Sequence, residues 1–121
     1  MKLPILKVKS TGMDMTPKIG AYLDSKMSQI EKLLPKDETA VSLSVELEKI
    51  TKHHQNGKIF RAEFNLKVAK ALFRAEAVAE SIEAAIDEAK DEVRSELKKY
   101  TAKRTTHART GARKAKRLLR E

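Results

Sequence analysis

The sequence predicts an α+β fold in the order β-α-β-β-β-α, a four-stranded sheet with two helices packed on one face. Three observations predict it. Residues 40–50, 58–68 and 71–79 alternate apolar and polar side chains with short connections between them, the pattern of an antiparallel meander wet on one face. Two other stretches, opening at Thr16-Pro17 and at Ser81, repeat apolar residues at helical spacing. A short alternating run before the first of them supplies a further strand.

In order along the chain, residues 3–9 set Leu3, Ile5 and Val8 against Lys2, Lys7 and Lys9 and read as a strand, with Pro4 at an edge or entry position. Residues 10–14 form a turn containing Gly12. Thr16-Pro17 is a helix start: the threonine supplies the capping oxygen, and proline's fixed φ suits the first helical position. Ile19, Tyr22, Leu23, Met27, Ile30, Leu33 and Leu34 then fill one arc of a helix, and Pro35 stops the run. Lys26 falls inside that arc. It is either a snorkelling lysine, its stem on the core and its ammonium at the rim, or a charge set at the seam with the next helix, and the two are compatible.

After a loop at 36–38, Val41, Leu43, Val45 and Leu47 take one side of a strand and Ser42, Ser44, Glu46 and Glu48 the other. The polar segment 51–57 contains Asn56-Gly57, a hairpin turn. Phe60, Ala62, Phe64 and Leu66 oppose Arg61, Glu63, Asn65 and Lys67 in the next strand. Ala69-Lys70 is a tight connection, and the last strand turns Phe73, Ala75 and Ala77 inward while Arg74 and Glu76 face water. Ser81 caps the final helix, whose core stripe is Ile82, Ile86, Ala89, Val93, Leu97 and Tyr100. Along one flank Lys90, Arg94 and Lys98 step four apart; Glu88, Glu92 and Glu96 do so along the other. The flanks are either a solvated surface laced with pairs such as Asp87–Lys90 and Asp91–Arg94, or a basic edge turned to a phosphate backbone with the acidic edge turned away.

Charge is distributed unevenly. The net charge is +9. From Lys98 onward there are ten Lys/Arg and one acid, so the last 24 residues hold all of that excess and the first 97 are neutral. An excess of this kind at one end favours a polyanionic partner, nucleic acid first; a solubilising tail is the plainer alternative. The chain divides accordingly into a folded domain, 1–104, and a basic C-terminal tail, 105–121. Within the tail, residues 105–111 read as irregular and 112–120 as a segment that becomes helical on RNA. The start of the chain lacks the apolar run of a signal peptide and nothing approaches a membrane span, which reads as a cytoplasmic protein without a membrane partner.

Several chemistries find no support. Without cysteine there is no disulfide framework, thiolate zinc site or cysteine nucleophile. His53 and His54 are adjacent in a turn and His107 lies in the tail, with no carboxylate at ligand spacing, so no metal or other cofactor is expected. No triad, nucleophile elbow or phosphate-cradling glycine loop occurs, and neither an enzyme nor a small-molecule substrate is expected. Two Tyr and three Phe, placed inward, make no base-stacking platform. Shape and phosphate recognition of folded RNA fits better.

Several local strings carry a more specific signal. Met15-Thr16, Tyr22-Leu23, Lys26-Met27 and the run Ile30-Glu31-Lys32-Leu33-Leu34 are followed by the strand string LSVELE, then by Ala75-Glu76-Ala77 and Ala84-Ala85-Ile86-Asp87, then by the basic helix end Lys98-Lys99 and Lys103. In this order and spacing, over about residues 5–104, the chain resembles the ribosome hibernation-promoting factor family, also called ribosome-associated inhibitor or protein Y. The resemblance implies a factor that occupies the tRNA/mRNA channel of the small ribosomal subunit, touching its 16S-type rRNA and neighbouring ribosomal proteins, and holds idle ribosomes inactive, as a monomer off the ribosome. It implies RNA contact by Lys26 and Lys32 on the first helix and by Lys98, Lys99 and Lys103 on the second, whose basic end reaches Arg104. Glu92 and Ser95 depart from the basic residues common there, Gln29 from a frequent lysine, and Glu83 from an aromatic. Lys90 and Arg94 compensate on an adjacent row. The tail residues Arg109, Arg113, Lys114, Lys116 and Arg117 lie beyond the resemblance and are expected to extend the RNA contact by charge. A general binder of structured or double-stranded RNA and a ribosome assembly protein remain the alternatives.

Overall fold

The structure, a computed structural model, describes residues 5–35, 40–50 and 59–120, with the side chains of 5, 6 and 104–120 not included. The element order is β1 (Ile5–Thr11), α1 (Pro17–Glu31), β2 (Val41–Lys49), β3 (Phe60–Val68), β4 (Ala71–Ala79) and α2 (Ile82–Arg120). This is the expected β-α-β-β-β-α order. The sheet runs β1-β2-β3-β4 and is mixed: β1 pairs parallel with β2, and the other two pairings are antiparallel. Parallel neighbours need a crossover, and α1 is that crossover.

Local chemistry accounts for the boundaries. β1 ends where Gly12 takes φ +68°; a Cβ there would stand 3.0 Å from the Lys49 carbonyl oxygen, so this turn requires glycine. Thr16 caps α1, its hydroxyl accepting from the Ile19 amide at 3.2 Å, with Pro17 behind it. The helix stops at Glu31, earlier than the apolar run through Leu34 predicts. Leu33 and Leu34 donate to the carbonyls of Ile30 and Glu31, a tightened last turn forced by Pro35, which disfavours helical geometry in the residue before it. Ser81 caps α2 as expected, its hydroxyl accepting from the Ala84 amide at 3.1 Å. The expected loop at 36–38, the Asn56-Gly57 turn and Pro4 lie outside the described residues.

The core lies between the sheet and the helices. Val41, Leu43, Val45, Leu47, Ala62, Phe64, Leu66, Val68, Ala75, Ala77 and Ala79 line the inner sheet face and are buried. Leu23, Met27 and Ile30 of α1 and Ile82, Ala85, Ile86, Ala89, Val93 and Leu97 of α2 cover them. Large and small alternate along the register: Phe64 sits between Val45 and Ala75, and Leu47 is followed by Ala62 and Ala77. The alanines of β4 leave room for α2, which meets them with its own Ala85 and Ala89. Tyr100 closes the far end, its ring edge-on to Phe73 at 5.4 Å.

One expectation fails in α2. The sequence pattern predicts an irregular 105–111, yet the helix continues unbroken to Arg120. No proline occurs after Pro35, and Lys, Arg, Ala and Leu supply most of 107–120, with Gly111 the one strongly disfavoured residue. The packed first half also supplies the nucleus, leaving only propagation to the remainder. Among the described residues no helix is long and apolar enough to cross a membrane.

Candidate nucleic-acid interface

The two helices run side by side, and their seam is polar. Tyr22 donates its hydroxyl to Asp87 Oδ2 at 2.6 Å, and Lys26 Nζ lies 3.3 Å from Asp87 Oδ1. The same ammonium stands 5.0 Å from the centre of the Tyr22 ring. Burial pushes the Asp87 carboxyl up, but the Tyr22 hydrogen bond and Lys26 outweigh it and hold the group below its ordinary value. The hydrogen bond to Asp87 in turn pushes the Tyr22 phenol up to about 12. One turn along, Lys90 Nζ contacts Asp91 Oδ1 at 2.7 Å and donates to Gln29 Oε1 at 3.3 Å.

These contacts sort the expected site residues. Lys26 is the seam charge its position in the apolar arc predicts, tied to α2 and largely enclosed. Lys90 is buried, at 6 % exposure, so the row Lys90, Arg94, Lys98 is not one open edge. Arg94 is half-buried; its Nε is enclosed and has no partner among the described residues. The expected i,i+3 pairs are replaced: Asp87 bridges to Lys26 across the seam, and Asp91 holds Lys90. Lys26 and Lys90 are largely enclosed, and each is paired with a carboxylate of α2 that keeps its outer side toward solvent. Lys32, Lys98, Lys99 and Lys103 are exposed, and Lys99 makes only a long contact, 3.6 Å, to Glu96. Lys32 also caps the C-terminus of α1, where a cation suits the helix dipole. Arg104, Arg109, Arg113, Lys114, Lys116 and Arg117 belong to α2 by backbone, but their side chains are outside the described set, as is His107's. His53 and His54 lie outside the described residues altogether.

Sequence reasoning missed Asp87, Tyr22 and Gln29 as organisers of the cations. The signal was faint: Tyr22 and Lys26 are four apart, but their partner Asp87 lies 65 and 61 residues further on. It also missed Lys18, exposed at the start of α1 on the side shared with Lys32.

The opposite surface behaves differently. On the outer sheet face Glu46, Glu63 and Glu76 stand directly across from one another. Arg61 lies among them, reaching Glu63 at 2.7 Å, Glu76 at 3.2 Å and Glu46 at 3.4 Å, while Arg74 reaches Glu63 at 3.5 Å. Asn65 donates to Glu63 at 3.0 Å, and that bond, with Arg74 and Arg61, holds the buried Glu63 carboxyl below its ordinary value against desolvation. These charges neutralise one another, while Lys7, Lys9 and Lys67 elsewhere on the sheet are exposed. On the helix side the exposed described cations are Lys18, Lys32, Lys98, Lys99 and Lys103.

A mixed four-stranded sheet bearing two helices side by side, with exposed cations toward their C-terminal ends, defines a small α+β domain. Residues 6–105 match the family described as "Sigma 54 modulation protein / S30EA ribosomal protein", and the chain belongs to that family. In fold it is similar to the protein Y N-terminal domain of Thermus thermophilus, with a TM-score of 0.65 and 24% identity over 79% of this chain and 97% of that one. It is also similar to a ribosomal subunit interface protein from Coxiella burnetii, with a TM-score of 0.62 and 14% identity over 80% of this chain and 97% of that one. No curated protein sequence matches the chain.

Proposed function

We propose that the chain is a ribosome hibernation factor: a cytoplasmic protein that binds the small ribosomal subunit in the tRNA/mRNA channel, blocks translation there and protects idle ribosomes. The observation that carries this reading is the placement of charge. An S30EA-family domain that is electrically neutral over its first 97 residues carries a net +9 on the last 24, along the continuation of a core helix. A neutral body with one cationic end suits a partner whose surface is phosphate. Membership of a family described as ribosomal, and fold similarity to a protein titled a ribosomal subunit interface protein, support the ribosome as that partner.

In this reading Lys32, Lys98, Lys99, Lys103 and Arg104 contact rRNA directly, joined by Arg109, Arg113, Lys114, Lys116 and Arg117 of the tail. Lys26 and Lys90 act at the seam, holding the two helices at a fixed spacing beneath the contact surface, and Arg94 lies half-buried one turn beyond Lys90. The functional division is 1–104 for the binding domain and 105–121 for the tail. The test is co-sedimentation with purified small subunits in a sucrose gradient, with initiator tRNA as competitor. Binding to the subunit that initiator tRNA displaces is the expected result. Equal or better binding to free duplex RNA, without displacement by tRNA, assigns the chain instead to general structured-RNA binding.

A further inference from the structure

Among the described residues Tyr100 is the last of α2 packed on the core, and the helix runs twenty residues past it to Arg120. At a rise of about 1.5 Å per residue this is an arm roughly 30 Å long. Its charges are sorted. At 100° per residue, nine of the ten Lys/Arg between Lys98 and Arg120 fall within an arc of about 160°, Arg104 alone lying outside it. Ala108, Gly111, Ala112, Ala115, Leu118 and Leu119 occupy the opposite side of the helical projection. A tail acting only as a cloud of charge has no need of such sorting; a helix lying against a surface does.

We propose that residues 101–120 form a rigid helical arm that lays its single basic face along the phosphate backbone of a folded RNA helix, so that geometry as well as charge carries its affinity. This rests on the RNA-binding reading above and specifies the partner of its C-terminal end. Three features select the partner. No Phe, Tyr or Trp occurs from 101 to 121, so the arm has nothing on which unpaired bases would stack, and single-stranded RNA is the poorer match. The non-basic side is mostly alanine and glycine with two leucines at its end, too little apolar bulk to embed in a lipid surface. Charge on one face only suits lying across exposed phosphates, whereas the deep, narrow major groove of A-form RNA would enclose the helix and call for cations all round.

The test uses two variants that keep net charge fixed and change the shape of the arm. One variant is Gly111→Pro, which breaks the arm at its middle. The other exchanges residues across the helix, Ala108→Arg with Arg109→Ala and Arg113→Ala with Ala115→Arg, moving two cations to the opposite side. Unchanged thermal unfolding of each shows that the body is intact. Affinities are measured at one salt concentration against purified small subunits, against a synthetic RNA hairpin and against vesicles of phosphatidylcholine and phosphatidylserine. Both variants are expected to bind subunits at least about tenfold more weakly than the parent, and Arg104→Ala to lose less than Arg113→Ala. Either shape variant binding within twofold of the parent overturns the arm while leaving subunit binding in place. Vesicle binding tighter than subunit binding also overturns it. A parent that fails to bind subunits and hairpin alike removes the RNA reading itself.

Discussion

The two halves of α2 are one continuous helix held by different forces. From Ile82 to Tyr100 it is held by burial: Ile82, Ile86, Ala89, Val93 and Leu97 are enclosed, and each large apolar side chain contributes about 1.5–3 kcal/mol. Its nearby charges are consumed locally, Lys90 by Asp91 and Gln29, Asp87 by Lys26 and Tyr22. From Thr101 to Arg120 the helix rests on residue propensity and on the nucleus the first half provides, and its charges have almost no acids in sequence to meet. Lys26 and Lys90, which touch the core, become structure, and in the proposed reading the cations beyond it meet the partner. A stripe of lysines four apart is therefore poor evidence of an interface until its burial is known, as Lys90 and Lys98 show.

The largest effect expected separates the halves cleanly. Removing residues 105–121 deletes six Lys/Arg and one acid. With roughly 0.7–0.9 counterions released per phosphate contact, the log–log dependence of subunit affinity on salt should flatten by up to about five units, and affinity at low salt should fall at least a hundredfold. Thermal unfolding of the body should not move. A full salt slope after truncation would place the binding charge elsewhere. The converse experiment is Phe64→Ala. Phe64 is fully buried between Val45 and Ala75, and its loss should cost about 3–5 kcal/mol in denaturant unfolding, leaving the charge of the arm untouched.

The fold was legible because its signals are local. Period-two alternation gives β2, β3 and β4, the last with its bounds unchanged, and Thr16-Pro17 and Ser81 mark both helix starts. Three features were not legible. The parallel pairing of β1 depends on which strand edge is free, which alternation does not encode. The helical course of 105–111 was hidden by Thr105, Thr106 and Gly111, weak formers taken over by a helix already nucleated upstream. The seam network joins Tyr22 and Lys26 to Asp87, and no spacing rule links residues that far apart. Family membership was legible in short strings; the fate of each basic residue was not, because it depends on burial.

Asp87 tests how strictly the seam keeps charge from the partner. Asp87→Asn weakens the contact to Tyr22 and releases Lys26. With Asp87's side chain 40% exposed, the stability cost should be modest, about 1 kcal/mol. Lys26 would then be free, and low-salt subunit affinity should rise by about two- to fivefold, the equivalent of one exposed ion pair. Unchanged affinity would mean that Lys26 never faces the partner. Stability against pH gives a second view. Asp87 and Glu63 are held below their ordinary values of 3.8 and 4.5. Their stabilisation is therefore complete above those values and is lost as pH falls through the lower folded ones. Tyr22 has the opposite sign: its contribution is present below 10.0 and is lost as pH rises through about 12. In Asp87→Asn the acid limb should shrink to the Glu63 part and the alkaline limb should move down toward the ordinary tyrosine value.

The smallest effect comes from one glycine in each kind of helix. Gly20 sits inside α1, and a Cβ placed there meets nothing within 4 Å. Glycine in a helix costs roughly 0.5–1 kcal/mol relative to alanine, so Gly20→Ala should raise the unfolding free energy by about that amount. Gly111 occupies the equivalent situation in the arm, and the same substitution removes the same backbone penalty. If the arm is thermodynamically separate from the body, Gly111→Ala should leave the body's unfolding free energy within about 0.5 kcal/mol and appear only as added helicity at 222 nm. A matching rise from both substitutions would instead show that α2 melts as a single unit from Ile82 to Arg120, and that the body feels the arm through the shared backbone.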